Sequence, residues 1–464
     1  MTEKQWKKND ETEILIEDMG KDGEGIGHAD GYTLFVKGAL PGERVRVKIM
    51  KVKKRMGFAR LMEVLEPSAL RCEPRCPVAG PCGGCTLQHL SYEGQLACKE
   101  NTLRNCLQRI GGVDLAQVEW LPIQGMTGES EEPWHYRNKA QFPVRPDADG
   151  TPVAGFFASG SHRLVPWEQC AIQHPVINEV LACIMNFLRE EHISAYDETT
   201  HDGLVRHIFI RRAYYTGQIM VCLVLNGKAL PGENRLIAML EKIDGFTSFY
   251  LSENVKKTNV ILGDSMCLRY GKAYIEDTIG DVRYQISPRS FYQVNPVQTQ
   301  KLYARALEFA DLKGDETVWD LYCGIGTISL FLAKAVPKGK VVGVEIVPEA
   351  VENAKENAAQ NGIENVTFHV GAAEDVAAEL VEEVGADVVV VDPPRKGCDG
   401  KLLDTIVAMA PEKVVYVSCD PATLARDVKS LMGHGYGVRK CQATDMFPMG
   451  GHVECVTLLQ RKDI

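Results

Sequence analysis

The stretch that decides the fold of the C-terminal part reads Thr317-Val318-Trp319-Asp320-Leu321-Tyr322-Cys323-Gly324-Ile325-Gly326-Thr327. It predicts a buried strand, a glycine turn and the start of a helix. A second strand, residues 340–344, ends at Glu345. An acid about 20 residues after a glycine turn is typical of nucleotide binding in a doubly wound sheet. The glycines let a ligand approach the backbone, and the acid accepts hydrogen bonds from two ribose hydroxyls.

The details of this turn favour S-adenosylmethionine over a dinucleotide. Asp320 precedes the turn, and the turn holds only two glycines, Gly324 and Gly326. A dinucleotide has a pyrophosphate that a longer glycine-rich turn must cradle, whereas S-adenosylmethionine has none. We therefore expect Asp320, Gly324, Gly326 and Glu345 to bind this methyl donor.

The chain continues to alternate between helix and strand. We predict helices at 349–360, 374–383 and 400–409, and strands at 366–370 and 386–391. This alternation predicts an α/β domain with a parallel sheet. The strand at 386–391 ends in Asp392-Pro393-Pro394-Arg395, which places Asp392 at a carboxyl end beside the expected donor pocket.

A further buried strand ends in Ser418-Cys419-Asp420-Pro421. Ligands and reactive side chains collect at the carboxyl ends of strands in open α/β sheets. Cys419 is therefore a candidate nucleophile. Cys323 and Cys398 are weaker candidates because neither terminates a strand.

A cysteine beside a methyl donor indicates methylation at carbon. Carbon 5 of a pyrimidine becomes nucleophilic once a thiolate adds to carbon 6, and a base must later remove the hydrogen at carbon 5. Glu454, an acid at the start of an apolar strand, is the candidate base, although an exposed edge residue would look the same in sequence. Two alternatives fit less well. Amino methylation has no use for Cys419, and cytosine-5 methylation has no need for Glu454.

Residues 1–66 predict a small all-β barrel, because short alternating runs are separated by glycines. The span from Arg44 to Arg60 carries eight cations and no acid: Arg44, Arg46, Lys48, Lys51, Lys53, Lys54, Arg55 and Arg60. Such a run suits a phosphate backbone even in a chain of net charge −10, although a solvated hairpin face is the alternative.

Cys76, Cys82 and Cys85 lie in a loop rich in proline and glycine, where three thiolates can converge on one metal centre. Cys170 is the best candidate for a fourth ligand. Four thiolates suit either zinc or an iron–sulfur cluster. The five residues between Cys76 and Cys82 fit zinc knuckles poorly, and the three-then-two spacing of radical S-adenosylmethionine clusters is absent.

Residues 120–285 form a mixed region. The segment 136–142 combines Tyr136 and Phe142 with Arg137 and Lys139, which suits stacking and phosphate contact with single-stranded RNA. An ordinary charged edge strand is the alternative.

Composition bounds the class of protein. Apolar content of 45% and charged content of 25% are those of a soluble globular chain, and no run approaches the roughly 18 apolar residues of a membrane span. Met1 to Asp10 carries no export signal, so a cytoplasmic location without membrane contact is expected. In that reducing compartment, 15 cysteines favour metal binding or catalysis over disulfides.

These motifs together resemble the RNA uracil-5-methyltransferase family. Residues 10–66 resemble a TRAM domain, an RNA-binding module of the oligonucleotide fold. The pieces that carry the wider resemblance are Phe291-Tyr292-Gln293, the glycine turn, Glu345, the Asp392 motif, the Cys419 motif and Gly451-His452-Val453-Glu454. The branch most similar to the chain has a TRAM domain and a 4Fe-4S cluster and modifies 23S ribosomal RNA.

The resemblance implies specific roles. Gln293, Tyr322, Glu345 and Asp392 would contact the methyl donor or the target base, and Cys419 and Glu454 would perform the chemistry. Cys76, Cys82, Cys85 and Cys170 match the cluster ligands. Two positions depart from the family pattern. The family commonly has asparagine where this chain has Asp420. It often has asparagine where this chain has Thr327. We expect Asp420 to turn away from the thiol and cap the following helix.

The expected architecture therefore has three domains. An OB-like TRAM barrel spans 1–66, a small α+β iron–sulfur domain spans 67–285, and a Rossmann-like S-adenosylmethionine methyltransferase domain spans 286–464. The resemblance also lends part of 93–125 to the catalytic domain. The expected partner is 23S rRNA with an extruded uridine, and no obligate protein partner is evident. Transfer RNA is the alternative substrate, and a redox or binding protein is the alternative class.

Overall fold

The computed structural model describes residues 6–129 and 131–462, so part of the polar N-terminal segment lies outside the described residues. The N-terminal part is a closed barrel with strand order β1-β2-β3-β5-β4, as the alternation and the glycines predict. Its strands are β1 (Glu11–Met19), β2 (Glu24–Ala29), β3 (Tyr32–Lys37), β4 (Arg44–Val52) and β5 (Met56–Glu66). Alternate side chains such as Leu34, Val36 and Val45 fill the interior with no exposure.

The chain then forms helix α1 (Tyr92–Arg109), a 3-10 turn (Leu115–Gln117) and strand β6 (Glu119–Gln124). Ser91 caps α1 by accepting a hydrogen bond from the backbone N–H of Gly94. Both α1 and β6 pack against elements from the far end of the chain, as described below.

The central part is a seven-stranded sheet of order β13-β12-β11-β10-β7-β8-β9. Its elements are β7 (Lys139–Pro146), β8 (Pro152–Phe157), β9 (Leu164–Pro166), α2 (Pro175–Glu190), β10 (Val205–Arg212), β11 (Ile219–Leu225), α3 (Glu233–Leu240), β12 (Phe246–Glu253) and β13 (Ser265–Gly271). Strands β10 and β11 form an antiparallel pair.

The C-terminal part opens with a hairpin and continues as an α/β sheet. Its elements are β14 (Ile275–Ile279), β15 (Val282–Ile286), α4 (Pro296–Ala310), β16 (Thr317–Leu321), α5 (Thr327–Ala335), β17 (Lys340–Glu345), α6 (Pro348–Gln360), β18 (Val366–Val370), α7 (Ala373–Val384), β19 (Val388–Val391), α8 (Gly400–Met409), β20 (Lys413–Ser418), α9 (Pro421–Gly433), β21 (Tyr436–Thr444) and β22 (Glu454–Arg461).

The C-terminal sheet has the order β18-β17-β16-β19-β20-β22-β21-β6. Five of its strands are parallel, β16 to β20, and their carboxyl ends meet at one edge. Strand β22 is antiparallel to β20, so its beginning lies at that same edge. Strand β6 joins the sheet beside β21, and α1 packs against α9. Strands β21 and β6 run in the same direction as β20, so the edge gathers seven strand ends and one strand start. This determines where polar side chains collect.

No helix in the described ranges combines the length and the apolar character that crossing a membrane requires.

Candidate active site

The glycine turn leaves β16 with an abrupt change of direction. Tyr322 adopts a φ of 75°, and the backbone N–H groups of Tyr322 and Cys323 both donate to the carbonyl oxygen of Val344, at 3.0 Å each. Gly324 has a φ of 56°, and a Cβ at this position would meet nothing within 4 Å. Its N–H donates to Oε2 of Glu345 at 3.2 Å. The turn therefore presents open backbone beside the acid at the end of β17.

A cleft of about 800 Å³ lies at this edge of the sheet. It is lined by seven of the predicted donor, base and catalytic side chains together with Gly324: Gln293, Asp320, Tyr322, Gly324, Glu345, Asp392, Cys419 and Glu454. Gly326 does not line the cleft. It precedes α5 with a φ of 81°, and a Cβ there would meet Phe368 at 3.1 Å and Ala354 at 3.3 Å. Gly326 thus serves close packing behind the turn.

Strand register brings Cys419 next to Glu454. Ser418, the last residue of β20, is the direct partner of Cys455 near the start of β22. The residues that follow Ser418 and precede Cys455 are therefore neighbours at the sheet edge, although the chain separates them widely. This antiparallel pairing explains how a strand end and a strand start supply one site.

Asp420 caps helix α9, as predicted. Its Oδ1 accepts hydrogen bonds from the backbone N–H groups of Ala422 at 2.9 Å and Thr423 at 3.1 Å. The carboxylate thus faces the helix N-terminus, where negative charge is stabilised. The departure from asparagine at this position leaves the cap in place.

Three buried carboxyl groups share the cleft. Burial raises the pKa of Glu454 to about 7, and nearby Arg395 opposes the rise. Burial also raises the pKa of Asp320 to about 6, and burial together with Glu454 raises the pKa of Asp392 well above its usual range. One oxygen of Glu454, Oε2, and one of Asp320, Oδ1, find no hydrogen-bond partner among the residues that the structure describes. Acids in this condition can exchange protons near neutral pH.

The thiol of Cys419 is half-buried. Burial, together with the charges of Glu454 and Asp392, raises its pKa to about 12, although Arg395 acts in the opposite direction. The carboxylates that act on the thiol are thus those of β22 and β19. The thiol is therefore protonated in the resting protein, and a nearby acceptor is needed to form the thiolate.

The 445–453 loop, which leads into Glu454, is held by contacts from distant parts of the chain. Met449 adopts a φ of 68°, and its carbonyl oxygen accepts hydrogen bonds from the N–H groups of Thr86 and Leu87 at 2.9 and 3.0 Å. Gln95 accepts a hydrogen bond from the N–H of Met449 at 2.9 Å. Tyr136 donates to the carbonyl oxygen of Pro448 at 3.0 Å. Sequence reasoning missed this clamp, because nothing in the sequence separates Gln95 from the other polar residues of α1.

A second cavity, of about 290 Å³, is lined by Cys76, Cys82, Cys85 and Cys170. Burial and neighbouring cysteines raise the pKa of Cys82 and Cys170, and they raise that of Cys85 to about 12. Within 6–129 and 131–462, however, no group of three or more His, Cys, Asp or Glu side chains is arranged to hold a single metal ion. The structure therefore brings the four cysteines to one cavity and does not confirm the expected metal centre.

Arg137 and Lys139 line both this cavity and the larger cleft. The aromatic residues of the same segment do not reach RNA: Tyr136 is 3% exposed and Phe142 is fully buried. The expectation that they stack on bases is wrong, because β7 lies inside the central sheet and both rings pack in hydrophobic clusters. The edge-strand alternative is wrong for the same reason.

Comparison with known proteins identifies the class. Residues 92–462 match the family described as tRNA (Uracil-5-)-methyltransferase, and residues 5–62 match the TRAM domain. The chain belongs to the tRNA (uracil-5-)-methyltransferase family, and its N-terminal barrel is a TRAM domain. It is thus an S-adenosylmethionine-dependent RNA methyltransferase of the uracil-5 class.

Particular relatives cover nearly the whole chain. An uncharacterized RNA methyltransferase of Halalkalibacterium halodurans is 49% identical over 458 residues, and one of Clostridium acetobutylicum is 48% identical over 459; each alignment covers 98% of both chains. Among solved structures, the tRNA (uracil-54, C5)-methyltransferase of Pyrococcus abyssi in complex with S-adenosyl-L-homocysteine has a TM-score of 0.77 and 30% identity. That match covers 96% of this chain and 99% of the other.

Proposed function

We propose that this protein transfers a methyl group from S-adenosylmethionine to carbon 5 of specific uridines in 23S rRNA, through a covalent adduct between Cys419 and the uracil. The observation that carries the proposal is that the Cys419 thiol and the Glu454 carboxyl line the same cleft as the glycine turn and Glu345. A nucleophile, a base and a donor site are thus within reach of one bound base.

The donor is assigned to the turn end of the cleft. Glu345 would bind the ribose hydroxyls, and Gly324 lets the ligand approach the backbone. Asp320 fits the amino group of the donor because its Oδ1 is buried and has no partner. Tyr322, Gln293 and Asp392 would contact the donor or the target base. When bound, the donor supplies an electrophilic sulfonium methyl group.

Cys419 performs the first step in this assignment. Its thiol gives up a proton, and the sulfur forms a bond to carbon 6 of the uracil. The electron pair of the ring double bond moves to give an enolate, whose carbon 5 becomes the nucleophile. Carbon 5 then forms a bond to the methyl carbon of the donor as the methyl–sulfonium bond breaks, and S-adenosylhomocysteine is the leaving group. A nearby carboxylate must accept the thiol proton, because burial holds the pKa of Cys419 high.

Glu454 performs the last step. Its carboxylate removes the hydrogen from carbon 5, the ring double bond re-forms, and the carbon–sulfur bond to Cys419 breaks. A pKa raised to about 7 suits a base that must bind and release a proton near neutral pH. The buried Oε2, which has no partner, is available for that proton.

The cysteine cavity is assigned to a 4Fe-4S cluster. A single zinc ion binds four sulfurs at about 2.3 Å and needs them tightly clustered, whereas a four-iron cluster is held by thiolates spaced further apart. Four cysteines around one cavity fit the larger group. Cys76, Cys82, Cys85 and Cys170 would hold it within the proposed 67–285 domain, between RNA-binding (1–66) and catalytic (286–464) domains.

A 4Fe-4S cluster gives a brown preparation under anaerobic conditions with a broad shoulder at the edge of the visible range. Iron analysis of the protein and of Cys82→Ser tests this directly, with Cys183→Ser as the control. A colourless preparation that contains zinc would overturn the assignment.

Transfer RNA is the second candidate substrate. The match to the Pyrococcus abyssi enzyme, which acts on uracil 54 of tRNA, favours it. The TRAM barrel and the four-cysteine cavity favour 23S rRNA, since they match the ribosomal branch that the sequence resembles.

One experiment separates the two substrates. Protein and S-adenosylmethionine are incubated with 23S rRNA or tRNA transcripts whose uridines carry tritium at carbon 5. We expect tritium release from 23S rRNA and not from tRNA, with no other protein present. Release from tRNA alone would move the assignment to the second candidate, and no release from either would refute uracil-5 methylation.

A further inference from the structure

The outer face of the TRAM barrel carries a pair of stacked aromatic rings. Phe35 on β3 and Phe58 on β5 are direct register partners, and their ring centroids lie 5.6 Å apart at an interplanar angle of 28°. Both side chains are partly exposed, since their neighbours in sequence fill the barrel interior. The Nζ of Lys53 lies 5.4 Å from the centroid of Phe58.

Ion pairs neutralise part of the positive charge that the sequence places over 44–60. Arg46 pairs with Glu13 at 3.0 Å and Glu63 at 2.6 Å, and Lys48 pairs with Glu11 at 3.5 Å. The run itself contains no acid, as the sequence shows, but acids outside it neutralise these two positions. That part of the run is therefore less available to bind phosphate.

The cations around the aromatic pair are different. Lys37, Lys51 and Arg60 form no ion pair within the described part of the chain. Lys37 is the register partner of Arg60, and Lys51 is that of Phe58, so all three flank the rings on the same face. Glu24 lies opposite Lys37 on β2 without forming an ion pair with it.

We propose that the Phe35–Phe58 pair is a stacking platform for a single-stranded segment of the RNA substrate, with phosphates bound by Lys37, Lys51 and Arg60. The proposal rests on the proposed function only in taking RNA as the substrate. Stacked aromatic rings bordered by unpaired cations bind single-stranded nucleic acid, because every base offers a ring face and every linkage a negative charge. A protein partner would instead need acids or apolar surface to match this positively charged rim.

The position of the barrel suits this role. The turn before β2 contacts the 445–453 loop, since a Cβ on Gly451 would lie 2.9 Å from the carbonyl oxygen of Lys21. The barrel that carries the platform is therefore packed against the loop that leads into Glu454.

Binding of RNA by the full-length protein tests the platform without requiring turnover. The probe is a fluorescein-labelled oligouridine of about 12 nucleotides, a length within the site size of an oligonucleotide-binding fold. The variant Phe35→Ala/Phe58→Ala should bind the probe roughly 10- to 100-fold more weakly, by the usual contribution of base stacking. Phe35→Trp/Phe58→Trp should retain affinity, since tryptophan keeps a stacking face.

The salt dependence separates the rings from the cations. Log affinity falls as log salt concentration rises. Lys37→Ala/Arg60→Ala should make this slope less steep by about 0.7 for each phosphate that the variant no longer binds. Phe35→Ala/Phe58→Ala should leave the slope unchanged. Leu15→Ala is the matched control, because Leu15 is an exposed apolar residue on β1, which pairs with neither β3 nor β5.

Equal affinity of the wild type and the ring variant would overturn the proposal and leave a protein partner as the occupant to seek. An equal loss with Leu15→Ala would also overturn it. Circular dichroism checks that the double alanine variant folds. If it does not fold, the single variant Phe58→Leu, which keeps apolar bulk without a ring, replaces it, and its affinity for the probe decides the question. Tritium release by the wild type reports on the proposed function separately.

Discussion

The backbone N–H of Thr86 donates a hydrogen bond to the carbonyl oxygen of Met449 at 2.9 Å. Thr86 directly follows Cys85, and Met449 lies in the loop that leads into Glu454. The cysteine segment and the loop before the proposed base are therefore fastened to each other. Gln95 strengthens this attachment, since it bonds both Met449 and the carbonyl oxygens of Leu87 and Leu90.

Replacing Gln95 with leucine should loosen this attachment. The buried N–H of Met449 loses its partner, and we expect a loss of about 2–3 kcal/mol in the free energy of unfolding, measured in urea. We also expect tritium release to fall roughly tenfold while adduct formation persists, because Glu454 is displaced more than Cys419. Gln108→Leu, on the exposed face of α1, should change neither quantity; equal effects from both variants would show that the loss is general.

Cys419→Ala should remove the nucleophile. We expect turnover to fall by roughly 10⁴-fold or more, since the residual reaction lacks covalent activation of carbon 5. No RNA adduct should form on a denaturing gel. Cys183→Ala, a half-buried cysteine on α2, should retain normal activity. Turnover within tenfold of the wild type for Cys419→Ala would assign the nucleophile elsewhere.

Glu454→Gln should separate addition from elimination. The amide keeps the size of the side chain and cannot accept the proton from carbon 5, so methylated RNA stays bound to Cys419. We expect an RNA–protein band that survives denaturation and needs S-adenosylmethionine for full yield. Glu412→Gln, an exposed acid before β20, should give no such band. Normal turnover by Glu454→Gln would disprove the base assignment.

The rate should depend on pH through Glu454. The base must be ionised, and its pKa is raised to about 7. We therefore expect kcat to rise as the pH increases through that value and to be low at more acidic pH, where Glu454 is protonated. Arg395 lowers the pKa of both Glu454 and Cys419 by its positive charge. Arg395→Ala should therefore move the midpoint of the profile to higher pH and slow alkylation of Cys419 by iodoacetamide at pH 8. A midpoint that moves to lower pH would contradict this electrostatic picture.

Asp420 should act through the helix and not through the thiol. Asp420→Asn preserves a capping oxygen, so the free energy of unfolding should stay close to that of the wild type. The rate of Cys419 alkylation should change by less than about twofold. Asp420→Ala removes the cap and should cost about 1 kcal/mol in the free energy of unfolding. A large gain in thiol reactivity for Asp420→Asn would show instead that the carboxylate suppresses the thiolate.

Local patterns predicted the catalytic sheet well. The strand at Thr317–Leu321, the helix at Gly400–Met409 and the strand at Val366–Val370 all have the expected positions, because each is determined by its own run of apolar residues. The glycine turn and the cap at Asp420 are equally local.

Features that depend on distant partners were not predictable in this way. The pairing of Arg46 with Glu13 and Glu63 joins three strands, and the burial of Tyr136 depends on Pro448. The clamp likewise joins Met449 to Gln95, which lies more than 350 positions earlier in the chain. A single sequence shows which residues are polar or aromatic, and long-range packing decides which of them reach solvent.

Strand β6 has a consequence for how the protein is made. Its partner is β21, and Gln442 donates to the carbonyl oxygen of Pro122 across 320 positions of sequence. Elements synthesised early fold first on the ribosome, so the barrel and the central sheet can form while β6 still lacks its neighbour. The catalytic sheet closes only when almost the whole chain has emerged, because Glu454 lies on the final strand. A nascent chain therefore carries its RNA-binding surface well before it carries an active site.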